Sequence, residues 1–198
     1  MRGFVITGAL LLGVWTTGPA QAASEGALSA EAAATLTPNA YVWRDDANTG
    51  NVRIVVSIAD QRAYVYRDST LIAVSSVSTG KEGKDTPVGV YPILQKNKDH
   101  KSNLYNAAPM PYMQRLTWDG IAIHAGKNPG FPASHGCIRV PTAFAQRLFD
   151  ITAVGTTVEV TDLPVADTAP DDSLVPPDVM AQAEAAKASN TQMASLNR

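Results

Sequence analysis

A chain of 198 residues, 45% hydrophobic and 17% charged, has the apolar content of one folded domain with tails. Its formal charge of −2, with no dense run of lysine or arginine, excludes the basic stripe that nucleic-acid binding requires. The single cysteine excludes an internal disulfide framework.

In chain order, Arg2, an apolar run from Phe4 to Trp15 and the small-x-small triplet Ala20-Gln21-Ala22 read as a secretory leader over residues 1–22. The run is shorter than the roughly 20 residues that span a bilayer, so no membrane span is expected after cleavage. Residues 23–51 form an N-terminal leader segment, rich at first in alanine, serine and threonine and loose or marginally helical. The domain opens between Tyr41 and Val52. Residues 52–58, 63–66 and 71–78 are rich in β-branched and aromatic side chains and predict three strands, with Arg67-Asp68-Ser69 as a polar turn. Residues 79–87 read as a polar, glycine-rich loop. Residues 88–93 predict a strand, in which Pro92 marks an edge or an end. Residues 95–111, polar and then proline-bounded, read as a mobile surface loop.

Arg115-Leu116-Thr117-Trp118 and Ile121-Ala122-Ile123-His124 flank Asp119-Gly120, a pair suited to a type I′ hairpin turn. Side chains alternate along a strand, so with Ile121 and Ile123 in the core, Ala122 and His124 face the other way and His124 is accessible. Residues 141–151 predict a helix with Phe144, Leu148 and Ile151 as its apolar stripe and Thr142 as N-cap or first-turn residue. Gly155 ends that element, and residues 156–161 form a closing strand. Residues 163–198 read as a mostly disordered tail with a short helix near residues 179–187.

The chemistry concentrates between His124 and Arg139. In an exported chain an unpaired cysteine is either an intermolecular bridge or a thiol kept for its reactivity. Two of the three histidines lie within 13 positions of Cys137. An imidazole can take the thiol proton, the positive end of the following helix can favour the thiolate, and Gly136 lets backbone amides approach as oxyanion donors. Against this stand a structural cysteine packed as a small hydrophobe and a zinc site made by His124, His135 and Cys137. The zinc site lacks a fourth ligand motif, so no metal and no cofactor is expected. His100 reads as a solvated residue.

Ser134-His135-Gly136-Cys137-Ile138-Arg139, preceded by Ile121-Ala122-Ile123-His124, resembles the signature of the L,D-transpeptidase catalytic domain, the YkuD-type family. Thr86-Pro87-Val88-Gly89-Val90-Tyr91 resembles that family's Thr-Pro-x-Gly-x-Tyr region, and the likeness covers residues 52–162. It implies a mainly β fold, a curved β-sandwich or open barrel with one short helix after the cysteine. It also implies attack on the third-residue carbonyl of a peptidoglycan tetrapeptide stem, release of D-alanine, and transfer of the acyl group to an amine. By position, Cys137 is the nucleophile, His124 the general base or ion-pair partner, and the Ala125 carbonyl the third member. Gly136 and Cys137 supply oxyanion amides, and Ser134 and His135 shape the pocket. Arg139, where the family often has asparagine, either holds a stem carboxylate or pairs with a surface acid. Tyr112, Met113 and Trp118 are candidates for the substrate wall.

The expected partners are peptidoglycan stem peptides, with another stem, an outer-membrane protein, a free D-amino acid or water as acceptor. Water would make the enzyme a carboxypeptidase, and loss of turnover would leave a wall-binding protein. A periplasmic monomer that maintains the cell wall and cell shape and is a carbapenem target is expected.

Overall fold

The computed structural model describes residue 28 and residues 33–46, 49–165 and 175–196; the expected secretory leader lies outside them. The β-branched runs form strands: β1 Tyr41–Trp43, β2 Val52–Ser57, β3 Arg62–Arg67, β4 Thr70–Ser76 and β5 Gly89–Pro92. They continue with β6 Gln95–Lys101, β7 Pro109–Arg115, β8 Ala122–Ala125 and β9 Ile138–Val140. Helix α1, Thr142–Ile151, precedes β10, Thr157–Thr161, and helix α2, Pro177–Leu196, ends the described chain. One sheet has six strands in the order β1-β4-β3-β2-β10-β5; the other has four, β6-β7-β8-β9. Both are mixed, because β10 runs parallel to β2 and β9 runs parallel to β8. The mainly β architecture matches the expectation.

The core lies between the sheets. Ile54, Val56, Val65 and Ile72 of the large sheet meet Ile123, Ile138 and Val140 of the small one, with Phe144 and Leu148 of α1 between them. Phe144, fully buried, takes the rings of Tyr41 and Trp43 edge-on at 5.8 and 5.5 Å. At the other end of α1, Lys96 from β6 donates to the carbonyls of Phe149 and Thr152 at 2.6 Å each, placing a cation against unsatisfied helix-end carbonyls.

Four expectations change. Residues 95–111 are not a loose loop: they form most of a long β6–β7 hairpin, registered from Gln95↔Arg115 to Lys101↔Pro109. Gln-Lys-Asn-Lys-Asp-His-Lys carries no apolar alternation, so the ladder alone defines the strand. The β7–β8 connection is not a type I′ turn. Only Gly120 takes positive φ, at 107°, and the turn closes from Gly120 N to Thr117 O at 3.3 Å.

Part of the leader segment is integral to the fold. Strand β1 pairs with β4, and Ala33 is 1% exposed against the outer face of the large sheet. Arg62 donates to the carbonyls of Ala33 and Leu36 at 3.0 and 2.6 Å. The tail contains a 20-residue helix rather than a short one, and it buries Val179, Ala183 and Ala186. Lys187 lies over Gly155, where a Cβ would stand 2.4 Å from its Cε.

Candidate active site

Strand geometry brings the motif residues together. β8 and β9 are parallel neighbours, with Ile123 opposite Ile138 and His124 opposite Arg139. Ile138 and Val140 point into the core, so Cys137 and Arg139 point the other way, beside Ala122 and His124. His124 on β8 and Cys137, the residue just before β9, therefore lie on one side of the small sheet. Both open into a cavity of about 410 Å³ that Ser134, His135 and Arg139 also line. His124 is 7% exposed, not the freely accessible residue expected from alternation, and Ser102, Leu104, Tyr105 and Ala108 line the same cavity. Tyr105 stacks on His135 with ring centroids 4.8 Å apart.

The imidazole has a defined tautomer. Nδ1 of His124 lies 2.8 Å from the Ala125 carbonyl. A carbonyl only accepts, so Nδ1 carries the hydrogen and the neutral ring presents a bare Nε2. Burial holds the His124 pKa below its ordinary value, helped by Arg139 and His100 and opposed by the Ala125 carbonyl. Burial also pushes the Cys137 thiol up, against the pull of the Ala122 amide, Arg139 and Arg115. Both shifts favour the uncharged forms, imidazole and thiol. The thiol donates to the Gly120 carbonyl at 3.3 Å.

The loop before Cys137 is held by Thr86, the first residue of the Thr-Pro-x-Gly-x-Tyr stretch, and by Ser78 and Asn128, to which the sequence assigned no role. Thr86 Oγ1 donates to the Gly136 carbonyl at 2.7 Å and accepts from the Gly80 amide at 2.8 Å. Ser78 exchanges backbone hydrogen bonds with Arg139 at 2.9 and 3.0 Å, and its hydroxyl donates to the Phe131 carbonyl. Asn128, buried, donates to Ser76 Oγ and accepts from the Gly130 amide, both at 3.0 Å. Gly136 has φ 116°, a backbone conformation that a residue with a side chain adopts only under strain.

Several expected roles change. The Gly136 amide donates to Ser134 Oγ at 3.0 Å, and that hydroxyl donates to the Cys137 carbonyl at 2.5 Å. The Gly136 amide is therefore occupied. Those of His135 and Cys137 have no acceptor among the described residues. Helix α1 does not act on the thiol: β9 separates Cys137 from the helix start at Pro141, roughly 10 Å of extended chain, and the dipole's influence fades within a turn. Tyr112 leaves the substrate wall, since it packs on Phe149 of α1 at 5.9 Å. Met113 and Trp118 line not the Cys137 cavity but an adjoining one of about 360 Å³. Arg139 crosses Gly126, whose Cβ would meet its Cγ and Cδ at 3.2 Å, and has no acidic partner among the described residues.

No group of three or more metal-ligating side chains occurs among the described residues. The profile of the L,D-transpeptidase catalytic domain, YkuD, matches residues 51–160. The chain is 29% identical to the probable L,D-transpeptidase YbiS of Escherichia coli K12, over 69% of this chain and 52% of that protein. It thus spans about half the length of the curated relatives it matches. Among solved structures, an L,D-transpeptidase from Stackebrandtia nassauensis superposes with a TM-score of 0.52 at 25% identity, covering 60% of this chain and 58% of that one. An L,D-transpeptidase solved with imipenem gives 0.52 at 25%, covering 56% and 58%. One from Mycobacterium tuberculosis H37Rv gives 0.53 at 24%, covering 56% and 57%, and shares the fold.

Proposed function

Because the chain belongs to the L,D-transpeptidase catalytic-domain family, we propose that it is a peptidoglycan L,D-transpeptidase whose nucleophile is Cys137. The observation that carries this is the placement of His124 on β8 and of Cys137 immediately before β9, the parallel neighbour of β8, both opening into one cavity inside the matched segment. The catalytic domain is assigned to residues 52–162, exported by the leader to the periplasm, where it acts as a monomer.

In the first step Nε2 of His124 takes the thiol proton as the sulfur attacks the third-residue carbonyl of a tetrapeptide stem. The Ala125 carbonyl, bound to Nδ1–H, stabilises the imidazolium that forms. The amides of His135 and Cys137 receive the oxyanion. The C–N bond to D-alanine then breaks, and the leaving amine takes the proton from His124. The resulting thioester is resolved when an acceptor amine forms a new amide and the sulfur regains its proton. A neutral base beside a neutral thiol is the protonation state this sequence needs. Arg139, without an acidic partner, is the cation available for a stem carboxylate.

An L,D-transpeptidase of similar fold holds imipenem, so a carbapenem is a suitable probe. Intact-mass measurement is expected to show one covalent adduct on the protein and none on Cys137→Ser. Folded protein that takes up no carbapenem would overturn the assignment and leave a wall-binding role.

A further inference from the structure

Helix α2 and the β7–β8 turn enclose a groove of about 330 Å³, at the lower end of the ~300–1,000 Å³ that small-molecule sites occupy. Trp118 of the turn and Gln95 of β6 line it from the sheets, and Gln182, Ser189, Asn190 and Met193 line it from α2. The helix positions fall at i, i+7, i+8 and i+11, so one stripe of α2 faces the groove. Glu184 and Lys187 lie off that stripe and pair with each other at 2.8 Å. No charged side chain among the described residues lines the groove. Trp118 is 72% exposed and Met193 56%, so two large apolar groups border it in water. The side chains of Gln182, Ser189 and Asn190 have no hydrogen-bond partner among the described residues. Gln95 accepts from Arg115 with Oε1, and its NH2 group has no partner there either.

We propose that this groove binds the glycan strand that carries the stem peptides, a neutral polymer of N-acetylated hexosamines. A pyranose ring offers an apolar face of C–H bonds that stacks on an exposed indole. Its rim of hydroxyl and acetamido groups both donates and accepts, as amide and hydroxyl side chains do. A charged ligand would lose its hydration in the groove and find no counter-charge. A purely apolar ligand would leave three amides and a hydroxyl unpaired.

Continuity with the catalytic face selects the wall glycan among neutral polymers. Trp118 stands two residues before Gly120, whose carbonyl receives the Cys137 thiol, so the two Cα atoms lie within about 7.6 Å. A stem that presents its third-residue carbonyl to Cys137 is joined to its sugar by three residues, at most about 10 Å of extended chain. The sugar is therefore tethered close to Trp118. Binding energy gathered there, remote from the reacting carbonyl, holds the stem in place for attack. The identity of the polymer rests on the transferase reading above; the sugar chemistry of the groove stands without it.

Calorimetry on the full chain with chitotetraose, a neutral N-acetylglucosamine tetramer without stems, tests the groove directly. Saturable binding is expected. Trp118→Ala and the double variant Gln182→Ala/Asn190→Ala should each weaken it about tenfold or more. Alanine favours helix, so the double variant keeps α2. Cellotetraose, which lacks the acetamido groups, should bind about tenfold more weakly than chitotetraose. A second measurement compares kcat/KM for a tetrapeptide attached to a four-sugar strand with that for the free tetrapeptide. The attached donor is expected to be favoured about tenfold, and the double variant to bring that ratio close to one. Taking the ratio cancels any change in the chemical step itself.

Absence of saturable chitotetraose binding overturns the groove, as does equal binding of cellotetraose or binding that the double variant leaves untouched. An attached-to-free ratio that the double variant does not change overturns the wall glycan as occupant. Chitotetraose binding as expected, in protein that is acylated by no stem, keeps the sugar groove and sinks the transferase reading.

Discussion

Nδ1 of His124 is committed to its neighbour's carbonyl, and the thiol of Cys137 donates to Gly120. Burial moves them in opposite directions, imidazole down and thiol up. Reaction by thiol and neutral base requires His124 deprotonated and Cys137 protonated. The rate of carbapenem acylation is therefore expected to hold a broad plateau, its acid limb below the ordinary histidine range and its alkaline change above the ordinary cysteine range. A maximum confined near neutrality would show instead a thiolate–imidazolium pair with coupled titration. Stopped-flow acylation across pH decides between these. Thr86 offers a second check at this scale. Thr86→Val removes the hydroxyl that joins the Gly80 amide to the Gly136 carbonyl, leaving both without a partner at a cost of about 2 kcal/mol. Acylation is expected to fall about tenfold as the 134–137 loop loses its brace, and Thr86→Ser should restore it.

Among the elements, the first strand and the residues after it contribute more than their polarity suggests. Asp45 makes a paired contact with Arg67 of β3, Oδ1 from Nε at 2.9 Å and Oδ2 from Nη2 at 2.5 Å, with side chains 4% and 6% exposed. Asp45→Ala would leave a buried guanidinium without its counterion, and chemical denaturation is expected to show a loss of about 3 kcal/mol. A change below about 1 kcal/mol would mean that water or another acid replaces the carboxylate. Nothing in the local pattern of residues 41–46 announces this pairing, since it depends on β1 docking on β4, thirty residues downstream. Strands β2 and β4 were legible because β-branched runs have few alternatives to a buried sheet. Strand β6 was not: its side chains are polar on both faces, and only the partner strand defines it. The same division holds at the site. Cys137 and His124 stood out by rarity and spacing, whereas the engaged Gly136 amide follows from how the backbone curls around Ser134 Oγ.

At the scale of the whole molecule, one core serves both sheets, and the site lies on the face of the small sheet turned away from it. Helix α2 packs elsewhere, against β5 and over Gly155, and touches neither His124 nor the loop that carries Cys137. It does reach Trp118, with which Gln182, Ala186 and Met193 enclose a third cavity of about 330 Å³. The buried part of the helix is small: Val179, Ala183 and Ala186. Burying one valine and two alanines is worth roughly 2–3 kcal/mol, which corresponds to about 5–10 °C in Tm for a domain of this size. A chain ending at residue 165 is therefore expected to melt about 5–10 °C lower in calorimetry while forming the carbapenem adduct within about twofold of the full-length rate. Loss of the adduct on truncation would show that α2 supports the catalytic face through Trp118. A separable helix follows from the core itself, since every side chain beneath His124 and Cys137 is supplied between Tyr41 and Val160.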